Sequence, residues 1–154
     1  MHTQRADNDF INNVIAKCNI CYIGVTTPEN KPYIIPMNFG FRDNIFYFHG
    51  ASKGKIIDCL NVNPNVCITL CIDNEIKFQN VEVACSYGMK SKSIIASGKV
   101  QFINDLEEKR EILNIIMANY SERKFEYGNP AVKNVNVWKV PVDEISCKEF
   151  GVRK

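Results

Sequence analysis

The stretch His49-Gly50-Ala51-Ser52-Lys53-Gly54-Lys55 gathers a histidine, two glycines and two lysines into seven residues. It lies where a strand-like run, 45–49, gives way to a helical pattern over 52–63. Such a junction suits a phosphate. Backbone N–H groups at a helix start are unpaired, the macrodipole favours an anion, Gly54 lets the backbone come close, and the lysines add full charge. The pattern is neither GxxxxGK[ST] nor GxGxxG. An ordinary exposed, lysine-bearing first helical turn reads the same way, so these residues alone leave both possibilities open.

Seven cysteines form the second chemistry-bearing set. Cys18 and Cys21 have the CxxC spacing of a redox dithiol or half a zinc site, and Cys67 with Cys71 could supply the other half. A zinc knuckle needs a turn around its ligands, whereas 67–71 reads as a strand, in which a free cysteine serves as a small hydrophobe. The count is odd, and Met1-His2-Thr3-Gln4-Arg5-Ala6-Asp7 lacks the apolar segment of a secretory signal. Reduced structural thiols in a cytoplasmic protein are therefore expected, with no metal.

The elements that must position these residues follow from periodicity. Asp7 can cap a first helix in which Phe10, Ile11, Val14, Ile15 and Cys18 form one stripe. Strands are expected over 20–26, 33–39 and 45–49, joined by turns at 27–31 and at Arg42-Asp43-Asn44. A helix over 52–63 follows, with Ser52 as its cap, Ile56, Cys59 and Leu60 facing inward and Asn63-Pro64 ending it. Residues 66–72 alternate as a half-buried strand. Further strands are expected over 77–87 and 91–103, with Gly98 permitting a bend or a close backbone approach. Asp105 and Glu108 resemble a capping box opening a helix that buries Leu106, Leu113, Ile116, Met117 and Tyr120. After a loop over 121–130 come a strand over 134–140, interrupted at Pro141, and a last piece over 142–150.

This order has too few helices between strands for a doubly wound parallel sheet and hairpin-length turns between most of the early ones. It predicts a mainly β, α+β fold, an antiparallel barrel with helices packed outside. At 154 residues and 45% hydrophobic content one domain over 1–154 is expected. With 19 basic and 17 acidic side chains and no long like-charge block, neither nucleic acid nor membrane is an expected partner.

A wider set of motifs runs through the chain: Pro32-Tyr33-Ile34-Ile35-Pro36-Met37-Asn38-Phe39, then Tyr47-Phe48-His49-Gly50-Ala51, then Gly54-Lys55-Ile56-Ile57-Asp58-Cys59-Leu60 and Asn63-Pro64-Asn65-Val66. Tyr87-Gly88-Met89-Lys90, Ser93-Ile94-Ile95, the helix with Glu107-Glu108-Lys109-Arg110 and the tail from Trp138-Lys139-Val140 continue it in order. In these the chain resembles the nitroimidazole-resistance-protein branch of the pyridoxamine 5'-phosphate oxidase-like superfamily. The resemblance implies a six-stranded split barrel that forms a homodimer, with two flavin mononucleotide (FMN) sites built across the subunit interface.

By that resemblance Pro36, Met37 and Asn38 lie along the flavin ring, and His49, Gly50 and Ala51 beside its ribityl chain or ring edge. Lys53 and Lys55, with Ser52 between them and the strand, meet the phosphate. Ser91, Ser93, Trp138 and Lys139 come from the facing subunit. Other readings stand beside these: His49 as a polar strand end, Asn38 as a turn residue, Met37 as core and Trp138 as packing. Gly50 stands where serine is common in the family, and Ser97 precedes Gly98 where many relatives carry an aromatic residue. The tail has a single Arg153 and no histidine, so the substrate-phosphate residues of pyridoxamine-phosphate oxidation are not evident and vitamin B6 synthesis is not expected. The implied activity is an FMN-dependent, nitroreductase-like oxidoreductase acting on a small molecule, with His49 as catalytic proton donor or orienter. The alternatives are a flavin-binding redox sensor without turnover, or the same barrel holding a deazaflavin or haem.

Overall fold

The computed structural model describes residues 2–4 and 7–151; Arg153 of the tail lies outside the described residues. Helix α1 (Asn8–Lys17) begins where the sequence places it. The Asp7 carboxylate accepts from the Phe10 N–H at 2.8 Å, a cap that contributes about 1 kcal/mol. Phe10, Ile11, Val14 and Ile15 are buried as one stripe, and Cys18 follows them into the core.

Strands β2 (Cys21–Thr26) and β3 (Pro32–Met37) form the first hairpin. β3 stops short of the expected residue 39. The Phe39 N–H instead donates to the Tyr120 hydroxyl at 3.0 Å, and its carbonyl accepts from Asn119 Nδ2 at 3.2 Å, so side chains replace the ladder there. Short β4 (Gly40–Arg42) then pairs with β5 (Ile45–Gly50) through Asp43 and Asn44, at φ 52° and 61°. Two successive left-handed residues match the twist of the flanking strands, which explains the Asp-Asn turn.

Helix α2 (Lys55–Val62) starts later than expected, and Ser52 does not cap it. The cap position is Gly54, whose φ of 146° only glycine adopts readily, and no side chain bonds to the first turn. Strands β6 (Asn65–Lys77) and β7 (Gly88–Lys99) form the longest pairing, with Val66, Ile68, Leu70 and Ile72 buried in alternation. The strand expected over 77–87 is absent. Residues 78–87 form an arm held by its own polar groups: the Ser86 hydroxyl bonds the Asn80 and Val83 carbonyls, both at 2.7 Å, and the Tyr87 hydroxyl donates to the Val81 carbonyl at 3.0 Å.

The strand expected over 91–103 breaks at Val100, whose N–H donates to the Pro64 carbonyl at 2.8 Å, and β8 (Gln101–Ile103) follows. Helix α3 (Leu106–Ala118) is capped by Asp105, which accepts from the Glu108 N–H at 2.9 Å. Its buried face is Lys109, Ile112, Leu113 and Ile116 rather than the stripe with Leu106, Met117 and Tyr120. Lys109 is enclosed because its ammonium bonds the Val132 and Val135 carbonyls, at 3.2 and 2.8 Å, closing the end of helix α4 (Asn129–Asn134). That helix falls partly in the expected loop.

Strand β9 (Asn136–Phe150) is continuous through Pro141. Its first part pairs with β5 and β8, and its second with β7. Pro141 sits at the hand-over, where the register shifts between Ser97 and Gly98, so its missing N–H interrupts little. A Cβ on Gly98 would stand 2.2 Å from the Pro141 carbonyl oxygen; the close approach expected of this glycine is what lets β9 cross.

The strands run β3-β2-β6-β7-β9-β5-β4, all pairings antiparallel, with β1 (His2–Gln4) and β8 added to β9. Six long strands carry the fold and three of three residues extend it. The terminal strands β3 and β4 do not meet, so the barrel is split. Helix α1 packs on β6 and β7, α2 on β2, and α3 on β4 and β5. No helix among the described residues is long and apolar enough to cross a membrane.

Candidate functional site

β5 points Phe46 and Phe48 into the core and ends on Gly50. Beneath it an aromatic column runs from Phe39 through Phe46 and Phe48 to Trp138, whose ring stacks on Phe48 at 5.9 Å and 20°. A Cβ on Gly50 would lie 3.3 Å from the Trp138 ring. Gly50 therefore seats the strand end directly on that indole, and the serine common at this position would crowd it.

Residues 51–55 then leave the sheet and are exposed to solvent. The exposed first turn of α2 has no side-chain cap, and Lys53 and Lys55 bracket Gly54. Asp58 is the one acidic residue in that turn. Lys55 Nζ sits 4.2 Å over the Tyr33 ring, a cation–π contact that ties α2 to β3 and fixes where the ammonium points. The arrangement fits a phosphate monoester: free N–H donors, two cations and no Cβ at Gly54 to block approach. Sequence reasoning gave Tyr33 no part in it; the contact is long-range, and only its place beside the Pro32–Met37 motif hinted at it.

His49 lies on the exposed face of β5, opposite Val137. Although its edge meets solvent, the chain packed around it partly desolvates the ring and pushes its pKa below the ordinary 6.5. The imidazole is thus predominantly neutral at pH 7. A histidine whose folded pKa is lowered loses stability as pH falls, between the unfolded value and the folded one, and keeps it above both. An NMR titration should place the His49 midpoint below 6.5, and His49→Gln should flatten the acid-side fall in stability. A midpoint at or above 6.5 would contradict the desolvated placement.

The remaining expected residues divide. Met37 turns inward and packs on the core, Pro36 faces out opposite Tyr22, and Asn38 is exposed with its Nδ2 donating to the Asn19 carbonyl at 3.3 Å. Trp138 has no exposed surface, so in this chain it offers no face to a ligand and acts as the floor under Gly50. Lys139 is committed to Glu108 at 3.2 Å. Ser91 is buried opposite Phe150, and Ser93 lies between Cys71 and Lys148. Along β9, Phe150 and the His49 partner Val137 are 13 residues apart, about 40 Å of strand contour. One chain does not bring Ser91 and Ser93 to His49.

The cysteines also divide. Cys18 and Cys21 are buried, and burial pushes the Cys21 thiol up to about 12; Cys67 and Cys71 are exposed on the outer side of β6. The two pairs face opposite sides of the sheet, and among the described residues no three of His, Cys, Asp or Glu converge as metal ligands. Alkylation needs a thiol the reagent can reach, so the buried Cys18, Cys21, Cys59 and Cys147 should resist maleimide in the native protein and react only in denaturant, as peptide mass spectrometry would show.

Against known structures, the fold superposes on a candidate 5-nitroimidazole antibiotic resistance protein from Bacteroides thetaiotaomicron VPI-5482. The TM-score is 0.87 at 42% identity, covering 96% of this chain and 87% of that one. The flavocytochrome Anf3 from Azotobacter vinelandii matches at 0.83 and 19% identity, over 97% and 70% of the two chains. An FAD- and haem-binding protein from Mycobacterium smegmatis matches at 0.86 and 11%, over 98% and 75%; at these lower identities the likeness is one of fold. A search of curated proteins finds no match. The family model described as pyridoxamine 5'-phosphate oxidase matches residues 7–149. That match spans every element from α1 to β9, and with the 42%-identical structure it shows that this chain belongs to the pyridoxamine 5'-phosphate oxidase family.

Proposed function

We propose that the protein is an FMN-dependent, nitroreductase-like oxidoreductase whose site is completed by a second copy of the chain. The observation that carries this reading is the 42% identity, over 96% of the chain, to a candidate 5-nitroimidazole antibiotic resistance protein. The β5–α2 junction supports it independently, because its exposed helix start and paired lysines suit a flavin phosphate. Bound FMN would supply the electron or hydride transfer, and the protein would supply position and electrostatics.

In this reading the α2 N–H groups, Lys53 and Lys55 hold the phosphate. Ala51 and Ser52 line the approach, and Pro36 and Asn38 lie toward the ring, with Met37 packed on the core behind them. Neutral His49 holds or passes a proton at the ring edge. Ser91, Ser93 and Lys139 are contributions from the facing chain, since strand length keeps at least the two serines away from His49 of their own chain.

The freshly purified protein should absorb near ~375 and ~450 nm, the bands of oxidised flavin. It should reduce a 5-nitroimidazole with NAD(P)H under anaerobic conditions. Trp138 is the only tryptophan and lies under Gly50, so its fluorescence should fall as FMN is titrated in. His49→Ala is expected to slow reduction about 100-fold with FMN still bound. A chain that neither carries nor titrates FMN sinks the reading; bound flavin without turnover reduces it to flavin binding, and a haem Soret band moves it to another cofactor.

A further inference from the structure

β3 ends at Met37, and the link from Asn38 to Gly40 rests against the C-terminal end of α3. A Cβ on Gly40 would stand 3.0 Å from both Cα and N of Ile116, so this glycine lets the helix backbone lie directly on the link. The close approach delivers Tyr120. Its hydroxyl accepts from the Phe39 N–H at 3.0 Å and lies 2.7 Å from the Asn19 carbonyl oxygen. That same carbonyl is 3.3 Å from Asn38 Nδ2. Asn119 Nδ2 donates to the Phe39 carbonyl at 3.2 Å, so the helix end holds both polar groups of the Phe39 backbone.

The donors and acceptors here admit one sense. A backbone N–H only donates, so the Tyr120 oxygen receives the Phe39 proton and gives its own to Asn19. A carbonyl only accepts, so the Asn38 side chain must turn its NH2 toward Asn19. Two donors then fill the lone pairs of one carbonyl, which holds both side chains in place. The amide oxygen is the end of Asn38 left open, on an exposed side chain at the end of β3.

We infer that Tyr120 is a positioning residue of the candidate site: by bridging Asn19 and Phe39 it holds Asn38 between them with the amide oxygen outward, so that the β3 end recognises a ring edge carrying an N–H. A free surface amide offers either end; the Asn19 carbonyl and the Tyr120 hydroxyl decide which. An oxidised isoalloxazine has one ring N–H, on N3, flanked by two carbonyls. A ring methylated at N3 has lost the donor and carries bulk in its place. The inference rests on the flavin reading proposed above and adds to it the residue that sets which ring edge is read.

Titrating the Trp138 fluorescence with FMN and with N3-methyl-FMN measures this selectivity without turnover. The native chain is expected to bind FMN about tenfold tighter, the effect of one hydrogen bond lost at an acceptor that the ring shields from water. Tyr120→Phe removes one oxygen and keeps the ring. It should weaken FMN about tenfold and leave the methylated flavin unchanged, so that the preference disappears. Asn38→Ala, at an exposed position, should do the same. A Tyr120→Phe chain that keeps the native preference, whether or not both affinities fall, overturns the positioning role, because a merely structural loss does not distinguish the two flavins. A native chain that takes both equally overturns the acceptor at Asn38 and leaves the flavin reading standing; one that takes neither overturns both. Should Tyr120→Phe not fold, NMR relaxation on the native chain gives the answer: the Asn38 side-chain NH2 should be as ordered as the backbone around it, and a freely rotating amide overturns the clamp.

Discussion

Trp138→Ala is expected to remove ~3–5 kcal/mol of stability, a fall in Tm of about 10 °C at ~2–4 °C per kcal/mol for a chain of this size. The indole is fully enclosed, stacked on Phe48 and tilted against Phe102, and it carries the backbone of Gly50. Truncation opens a cavity under the β5 end, and close-packed surroundings relax into such a space only in part. Trp138→Phe should cost far less. The indole Nε1 has no hydrogen-bond partner among the described residues, so phenylalanine keeps a ring in the column and removes a buried donor that goes unpaired among them. Chemical denaturation of both variants checks the ordering; equal losses would mean the column is not what supports Gly50.

The parts of the fold legible in the sequence are those fixed by contacts a few residues apart. Asp7 and Asp105 could be read as caps because a carboxylate reaches its own helix's third N–H, and both do. Alternation from Val66 to Ile72 gave the burial of β6 for the same reason: a strand's two faces are set residue by residue. What failed depended on distant partners. β3 ends early because Tyr120 and Asn119, some 80 residues on, take the bonds of Phe39. Lys109 is inside because α4 supplies carbonyls to its ammonium, and no helical-wheel pattern nominates a lysine for a core. Pro141 reads as a strand break until its place at the exchange of partners is known.

The candidate site shows the same division. Gly50, Gly54 and the two lysines were visible as a junction because they are contiguous, although the helix starts at Lys55 rather than at Ser52. The start moved because Gly54 alone can hold φ 146°, which outweighs the capping preference of a serine two residues earlier. Trp138 drew attention as the single tryptophan near a motif, yet its position opposite Phe48 turns it into the floor of the site. Ser91 and Ser93 are separated from His49 by the length of β9. A motif reading orders residues along the chain; it does not show which of them one copy can assemble.

Lys53→Ala with Lys55→Ala provides the sharpest separation of cofactor binding from fold. Both side chains are exposed and neither supports the core, so thermal stability should change little. FMN affinity should fall about 100-fold, roughly tenfold for each charge-assisted hydrogen bond removed, and the wild-type affinity should itself weaken with salt. Riboflavin, which has the same ring and no phosphate, should bind the double variant and the native chain equally. Lys55→Ala alone also frees the Tyr33 ring from its ammonium, so its effect should exceed that of Lys53→Ala, whose side chain has no such fixed direction. Fluorescence titration of Trp138 with FMN and with riboflavin measures all four quantities on one reporter. An equal fall in affinity for both flavins would place the lysines near the ring instead of the phosphate; no fall for either would remove the β5–α2 junction from the site altogether.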